Sequence, residues 1–193
     1  MISHLENENL LNIDGDIFND FDEIACEFVK KTDFSNYDFL HNDLGIVPYL
    51  IERKDVKNIN VVFDKLMNHK TNYKSFFAFE EDFSSQEFKD YKINLSLSHG
   101  NASILALANI AFSENLLINR MKIILENYLG LYESLFIEKD NSTFLPNFII
   151  DGELLGYQER LAWCYGDLGV LYQLLWATQL LDNRELEIKI TNY

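Results

Sequence analysis

Two stretches of this chain, residues 102–112 and 168–181, are apolar nearly all the way around a helix. Such a helix is stable only when neighbours cover most of its sides, so the rest of the chain must supply those neighbours. Other segments have the right pattern. Ile17, Phe18, Phe21, Ile24, Ala25, Phe28 and Val29 recur at three- and four-residue spacing, and Lys30 and Lys31 follow where a helix dipole favours cations. Val56, Ile59, Val62, Phe63 and Leu66 form a second amphipathic stripe, and Leu116, Leu117, Met121, Ile124, Leu125, Tyr128 and Leu129 a third. Leu44 to Ile51 is a shorter apolar run with Pro48 in its first turns, where a missing N–H is tolerated. Residues 184–193 read as the start of a further element. Residues 72–94 have no clean period and read as a long ordered loop or irregular helix. Residues 135–150 read as a β-hairpin turning at Asp140-Asn141-Ser142, the one place where strands are expected.

A polar cluster stands before each very apolar segment. The clusters are Asp38-Phe39-Leu40-His41-Asn42-Asp43-Leu44-Gly45-Ile46, Ser98-His99-Gly100-Asn101-Ala102-Ser103-Ile104 and Trp163-Cys164-Tyr165-Gly166-Asp167-Leu168-Gly169-Val170. Asp38 and His99 are 61 residues apart, and His99 and Cys164 are 65 apart. A repeat of that length, with one amphipathic and one buried helix per unit, describes helical hairpins side by side. The buried helices then form an inner layer, and their N-termini meet at one mouth. Helix N-termini carry free N–H groups and partial positive charge, which lower the pKa of a thiol and stabilise developing negative charge.

Charge and composition exclude several classes. Against 16 Lys and Arg stand 31 Asp and Glu, a formal charge of −15, which is unsuited to the phosphate backbone of nucleic acid or to an anionic membrane. With 48% hydrophobic residues the chain is too apolar to be a disordered acidic tail. Two Cys are no disulfide framework, the first residues are acidic rather than a signal peptide, and no apolar run reaches transmembrane length. These features lead to the expectation of a soluble cytoplasmic protein.

Taken singly, the polar residues have ordinary explanations. Asp38 reads as a helix N-cap, His99 as a hydrogen-bonded structural histidine, Cys164 as a small core residue and Arg160 as a surface ion-pair partner. Taken together in one structural slot, they read as a site. Cys26 lies on the apolar side of the first helix and reads as core. His4, His41 and His69 have no supporting context and read as solvated or packed.

The segment Arg160-Leu161-Ala162-Trp163-Cys164-Tyr165-Gly166-Asp167-Leu168-Gly169-Val170 resembles the signature of lanthionine synthetase C-like proteins. Ser98-His99-Gly100 resembles that family's His-Gly motif. Asp38, with Gly45-Ile46 seven residues on, resembles its first Asp motif, although Asn42 stands where the family usually has Gly. The resemblance implies an all-α fold, an α/α toroid in which a double layer of helical hairpins surrounds a zinc ion. Here it predicts an incomplete ring with a short β-hairpin insertion, in a single domain over residues 1–193 truncated at its C-terminal side. It implies that Cys164 is a zinc ligand, that His99 is the acid/base, that Asp38 and Arg160 are the charged groups that orient or stabilise, and that Tyr165 and Trp163 line the substrate site. It implies a lanthionine-forming cyclase, which adds Cys thiolates of a precursor peptide to dehydroalanine or dehydrobutyrine made from its Ser and Thr. A lanthipeptide dehydratase is the implied companion.

One departure shapes the functional expectation. The family's later Cys-His-Gly does not follow Cys164 in these residues. A non-catalytic helical peptide-binding module that has lost the zinc site, or a peptide-thiol binder using the same mouth, therefore stands beside the cyclase.

Overall fold

The structure, a computed structural model, describes residues 18–80, 92–136, 145–156 and 162–192. Its helices follow from local signals. Helix α1 (Asn19–Lys31) has Asp20 and Asp22 in its first turn and Lys30 and Lys31 in its last, each matching the dipole. A 3₁₀ turn (Asp43–Ile46) leads into the short α2 (Val47–Glu52), with Pro48 at its start. Asp55 caps α3 (Val56–Met67) by accepting from the Asn58 N–H at 3.0 Å. Helix α4 (Asn101–Ser113) is buried on most of its surface, and α5 (Ile118–Glu133) is amphipathic. Helix α6 (Asp167–Leu180) follows Gly166, and Asn183 caps α7 (Arg184–Thr191), accepting from Leu186 N–H at 3.2 Å.

The helices pair in sequence, α2 with α3, α4 with α5 and α6 with α7. Helices α2, α4 and α6 also pack on one another in that order, so they form an inner row with α3, α5 and α7 outside. This is the double layer of hairpins in an α/α toroid, present here as an arc. Inner helices α4 and α6 are joined by a buried polar contact. Asn109 Nδ2 donates to the Gln173 backbone O at 2.9 Å and to its Oε1 at 3.0 Å.

Strands occupy more of the chain than the sequence indicated. Lys70–Tyr73 (β1) and Phe76–Phe79 (β2) form an antiparallel hairpin, pairing Tyr73 with Phe76, where a loop or irregular helix was expected. The side chain of Asn127 on α5 binds both the N–H and the C=O of Phe77, at 2.9 Å each, and so anchors the strand to the outer layer. A second sheet has the order β3 (Lys92–Asn94), β4 (Phe148–Ile150), β5 (Glu153–Leu155), antiparallel throughout. Leu135 and Phe136 form a turn rather than a strand, and the proposed turn at Asp140-Asn141-Ser142 lies outside the described residues. The hairpin is instead Phe148–Leu155, turning at Asp151-Gly152 with φ of 51° and 79°. Two successive positive φ angles make a type I′ turn, for which Asp-Gly is a preferred pair.

The core runs between the layers and includes Phe63, Leu66, Leu105, Tyr128 and Tyr132, all fully buried. The α1 stripe is only partly used. Ala25 and Val29 are buried, whereas Phe21 and Ile24 are 57% and 65% exposed. Cys26, expected in the core, is half-buried. Among the described residues, no helix is long and apolar enough to cross a membrane.

Candidate functional site

The site is built where three chain segments meet at the starts of the inner helices. The first is the turn after Asp38. Its Oδ1 accepts the backbone N–H groups of Leu40 and His41, at 2.8 and 3.0 Å, and so folds residues 38–41 back on themselves. Its Oδ2 lies 2.9 Å from Nδ1 of His99. Asp38 is therefore no helix cap. It spends one oxygen on its own loop and the other on a histidine 61 residues away.

The second segment is the loop from β3 to α4, residues 95–100. The sheet holds it in place. Leu95 N–H donates to Asn147 O at 2.8 Å, and Ser96 N–H to Asn94 Oδ1 at 2.9 Å. Tyr132 OH donates to Leu95 O at 2.7 Å from below. At the first turn of α4 the buried Asn101 makes four bonds. Its Oδ1 accepts from Phe79 N–H (2.9 Å) and Tyr128 OH (3.1 Å), and its Nδ2 donates to Phe79 O (3.0 Å) and Asn94 O (2.8 Å). His99 is thus presented by a loop with few ways to move.

The third segment leads into α6. Ser98 Oγ donates to the carbonyl of Cys164 at 3.3 Å, which joins the second segment to the third. Tyr165 lies beside His99, with ring centroids 5.8 Å apart, and beside Phe148 at 6.0 Å. Asn94 Nδ2 approaches its hydroxyl at 3.5 Å. The loop packs so closely on α6 that a Cβ at Gly169 would run into the carbonyl of Trp163. Asp167, buried at the start of α6, accepts the Leu145 N–H at 3.2 Å and ties the segment before β4 to the helix.

The electrostatics follow from these contacts. Burial works against the Asp38 carboxylate, but hydrogen bonds from His99 and from the His41 and Leu40 N–H groups outweigh it and hold its pKa below the ordinary 3.8. An ionised carboxylate only accepts, so Nδ1 of His99 carries the hydrogen and Nε2 is the nitrogen available for proton exchange. The side chains of His99 and Asp38 are 22% and 20% exposed, reachable from solvent yet largely enclosed.

Of the residues singled out in the sequence, Asp38, His99 and Tyr165 come together, with the Cys164 backbone bonded alongside. The Cys164 side chain is half-buried, and Trp163 is 55% exposed. Arg160 lies outside the described residues. Three neighbours escaped the sequence reading. Asn94 and Phe148 support Tyr165 from paired strands, Phe148 within the 135–150 segment expected to hold strands and Asn94 within the stretch read as loop or irregular helix. His41, read as solvated or packed, is exposed and stacks on His99 with centroids 5.1 Å apart and planes 20° apart. Only the spacing of Asp38 and His41 within a tight turn could have signalled it.

Among the described residues, no group of three or more His, Cys, Asp and Glu side chains could hold a metal ion. A zinc site normally takes three or four protein ligands, and Cys164 alone does not meet that requirement. The imidazoles of His41 and His99 do not add a pair, because nearly parallel stacked rings cannot both aim an in-plane lone pair at one ion.

The comparisons with known proteins bear on this arrangement. No curated protein sequence is significantly similar to the chain. Among solved structures, nisin cyclase matches with a TM-score of 0.66 and 21% sequence identity, covering 87% of this chain and 47% of that one. The chain therefore spans about half the length of nisin cyclase and shares its fold over that half. The sequence pattern described as "Lanthionine synthetase C-like protein" matches residues 4–193. With inner-helix starts that carry the Asp38, His99 and Trp163-Cys164-Tyr165-Gly166 clusters, and with that match from end to end, the chain belongs to the lanthionine synthetase C-like family.

Proposed function

We propose that this chain carries the acid/base half of a lanthionine-forming site. The reading rests above all on the Asp38–His99 hydrogen bond beside Tyr165 and the Cys164 loop. The substrate is a precursor peptide with Cys residues and with dehydroalanine or dehydrobutyrine made from its Ser and Thr. A dehydratase supplies those residues, and the cytoplasm is the compartment where both enzymes meet the peptide.

In the addition, the peptide sulfur bonds to the β-carbon of the dehydro residue. The electrons of the C=C bond move toward the α-carbon and its carbonyl, and the α-carbon then takes a proton. The thiol hydrogen and the new C–H hydrogen balance, so nothing is oxidised or reduced. His99 Nε2 delivers that proton, and the Asp38 carboxylate stabilises the imidazolium before transfer and fixes the ring at Nδ1. Tyr165 lines the reacting centre, and exposed Trp163 offers a flat face to the peptide at the rim. Arg160 is assigned to the developing enolate charge.

The zinc assistance implied by the family needs ligands besides Cys164, so no step is assigned to the metal. The rival reading put to the test is a helical peptide-binding module without turnover.

Elemental analysis and a thiol-alkylation assay separate the two readings. The chain alone should retain substoichiometric zinc after dialysis against a mild chelator, and should leave the thiols of a dehydrated peptide open to alkylation. Adding the C-terminal half of a family cyclase, in cis or as a second polypeptide, should bring both zinc and protection. Cys164→Ala should then remove zinc, whereas His99→Ala should lower turnover more than zinc content. Complementation that restores zinc without thioether formation would favour the binding module. Stoichiometric zinc in the chain alone would show that other residues complete the metal site.

A further inference from the structure

We propose that His41 is a positioning residue for His99. This takes the acid/base role of His99 from the reading above, but its basis is geometric. A single hydrogen bond at Nδ1 fixes where the imidazole is attached and not how its plane is turned, because the terminal torsion of histidine is broad. Small turns about the Cβ–Cγ bond keep Nδ1 within reach of Oδ2 while tilting the ring plane and carrying Nε2 with it. A contact on the face of the ring removes that freedom. His41 supplies one, 5.1 Å away and within 20° of parallel, whereas Tyr165 is farther at 5.8 Å and more tilted at 30°.

The contact is built in by Asp38. Its Oδ2 takes the His99 Nδ1, and its Oδ1 takes the His41 N–H, closing the turn that carries the second imidazole over the first. One carboxylate therefore sets both the pivot and the stop. His41 is exposed, and its side chain contributes no hydrogen bond to the fold among the described residues, so the stack is its visible role.

Two variants of the full chain test this, read by signals that require neither zinc nor turnover. His41→Ala removes the face, and His41→Phe keeps a flat ring without a nitrogen. Long-range ¹H–¹⁵N spectra report which nitrogen of His99 carries hydrogen, and diethyl pyrocarbonate followed by peptide mapping reports how fast Nε2 is modified. In the parent and in His41→Phe, His99 should show one tautomer, with hydrogen on Nδ1. In His41→Ala the two nitrogen shifts should move toward each other, and modification of His99 should be about twofold to tenfold faster, the range set by one aromatic contact. His69, whose Nε2 lies 3.1 Å from Asp33 O in the same chain, serves as the reference. Unchanged His99 signals in His41→Ala would overturn the proposal. So would His41→Phe behaving like His41→Ala, or an equal rise at His69, which would indicate general loosening. Failure of the zinc complementation would leave these signals untouched, and the two ideas therefore fail separately.

Discussion

Asn101 offers the sharpest test of how the fold holds His99. It is fully buried, and its side chain uses all its bonding capacity on β2, on the end of β3 and on α5. In Asn101→Ala, the N–H and O of Phe79, the O of Asn94 and the OH of Tyr128 all lose a partner. Four bonds at about 1 kcal/mol each imply a loss of about 4 kcal/mol, a large part of the stability of an ordinary domain. In urea, with a slope of about 2 kcal/mol per molar, the midpoint should fall by about 2 M. Asn101→Leu, which refills the volume, should lose nearly as much, because the orphaned groups remain. Asn101→Asp is more telling. Its Oδ1 keeps the two donors, but its second oxygen now faces the carbonyls of Phe79 and Asn94 and needs a proton to bond either of them. Its folded pKa is thereby raised, so the variant should be closest to the parent at low pH and fall behind as pH rises past the ordinary carboxylate range. Fluorescence-monitored urea unfolding at two pH values measures all three. A loss under about 1 kcal/mol for Asn101→Ala, or a pH-independent deficit for Asn101→Asp, would refute the account.

Three further outcomes are expected. Asp38 has a lowered folded pKa, so its contribution to stability is complete at neutral pH and disappears as pH falls through that value below 3.8; Asp38→Asn should be less stable at pH 7, with the gap closing in acid-unfolding curves. Burial and the bond to Asp22 push the Tyr49 hydroxyl up to about 12, so its contribution holds below the ordinary value of 10.0 and is lost on rising toward 12; Tyr49→Phe should flatten the alkaline limb of a melting-temperature series. Gly169→Ala should cost about 1–3 kcal/mol in thermal unfolding and shift Trp163 emission, because the loop must retreat from α6.

The helices were legible because their apolar spacing is strong, and α4 announced its burial by lacking a polar face, whereas α6 is as apolar and yet leaves Leu168 and Tyr172 54% and 61% exposed. The first hairpin was not legible. Phe76-Phe77-Ala78-Phe79 has no alternation; it is a strand through its pairing with Lys70–Tyr73, and its anchor to the outer layer comes from Asn127, a residue 50 positions away. The second hairpin had a local signal, Asp151-Gly152, but Asp140-Asn141-Ser142 competed as a turn and drew the expected strands too early. In α1 the periodicity was right and the inference from it too broad, since Phe21 and Ile24 face solvent. Within the candidate site, residue types and spacing identified Asp38 and His99, but His41 depends on the shape of a four-residue turn that composition does not encode.

The contact between Asn109 and Gln173 has a consequence for how the two sides of the mouth stay aligned. His99 precedes α4 and Tyr165 precedes α6, so their meeting depends on the vernier between two nearly featureless apolar rods. A slip of one turn, about 5.4 Å, would carry Tyr165 out of ring contact while leaving most Leu-on-Leu packing intact. It would also leave the Asn109 amide facing hydrocarbon, and that penalty makes the slipped arrangement unfavourable. The pair thus works as a key in a slot. Replacing both residues with Leu would remove the key, and an engineered chain with a higher melting temperature would then no longer be compelled to bring the starts of α4 and α6 into step.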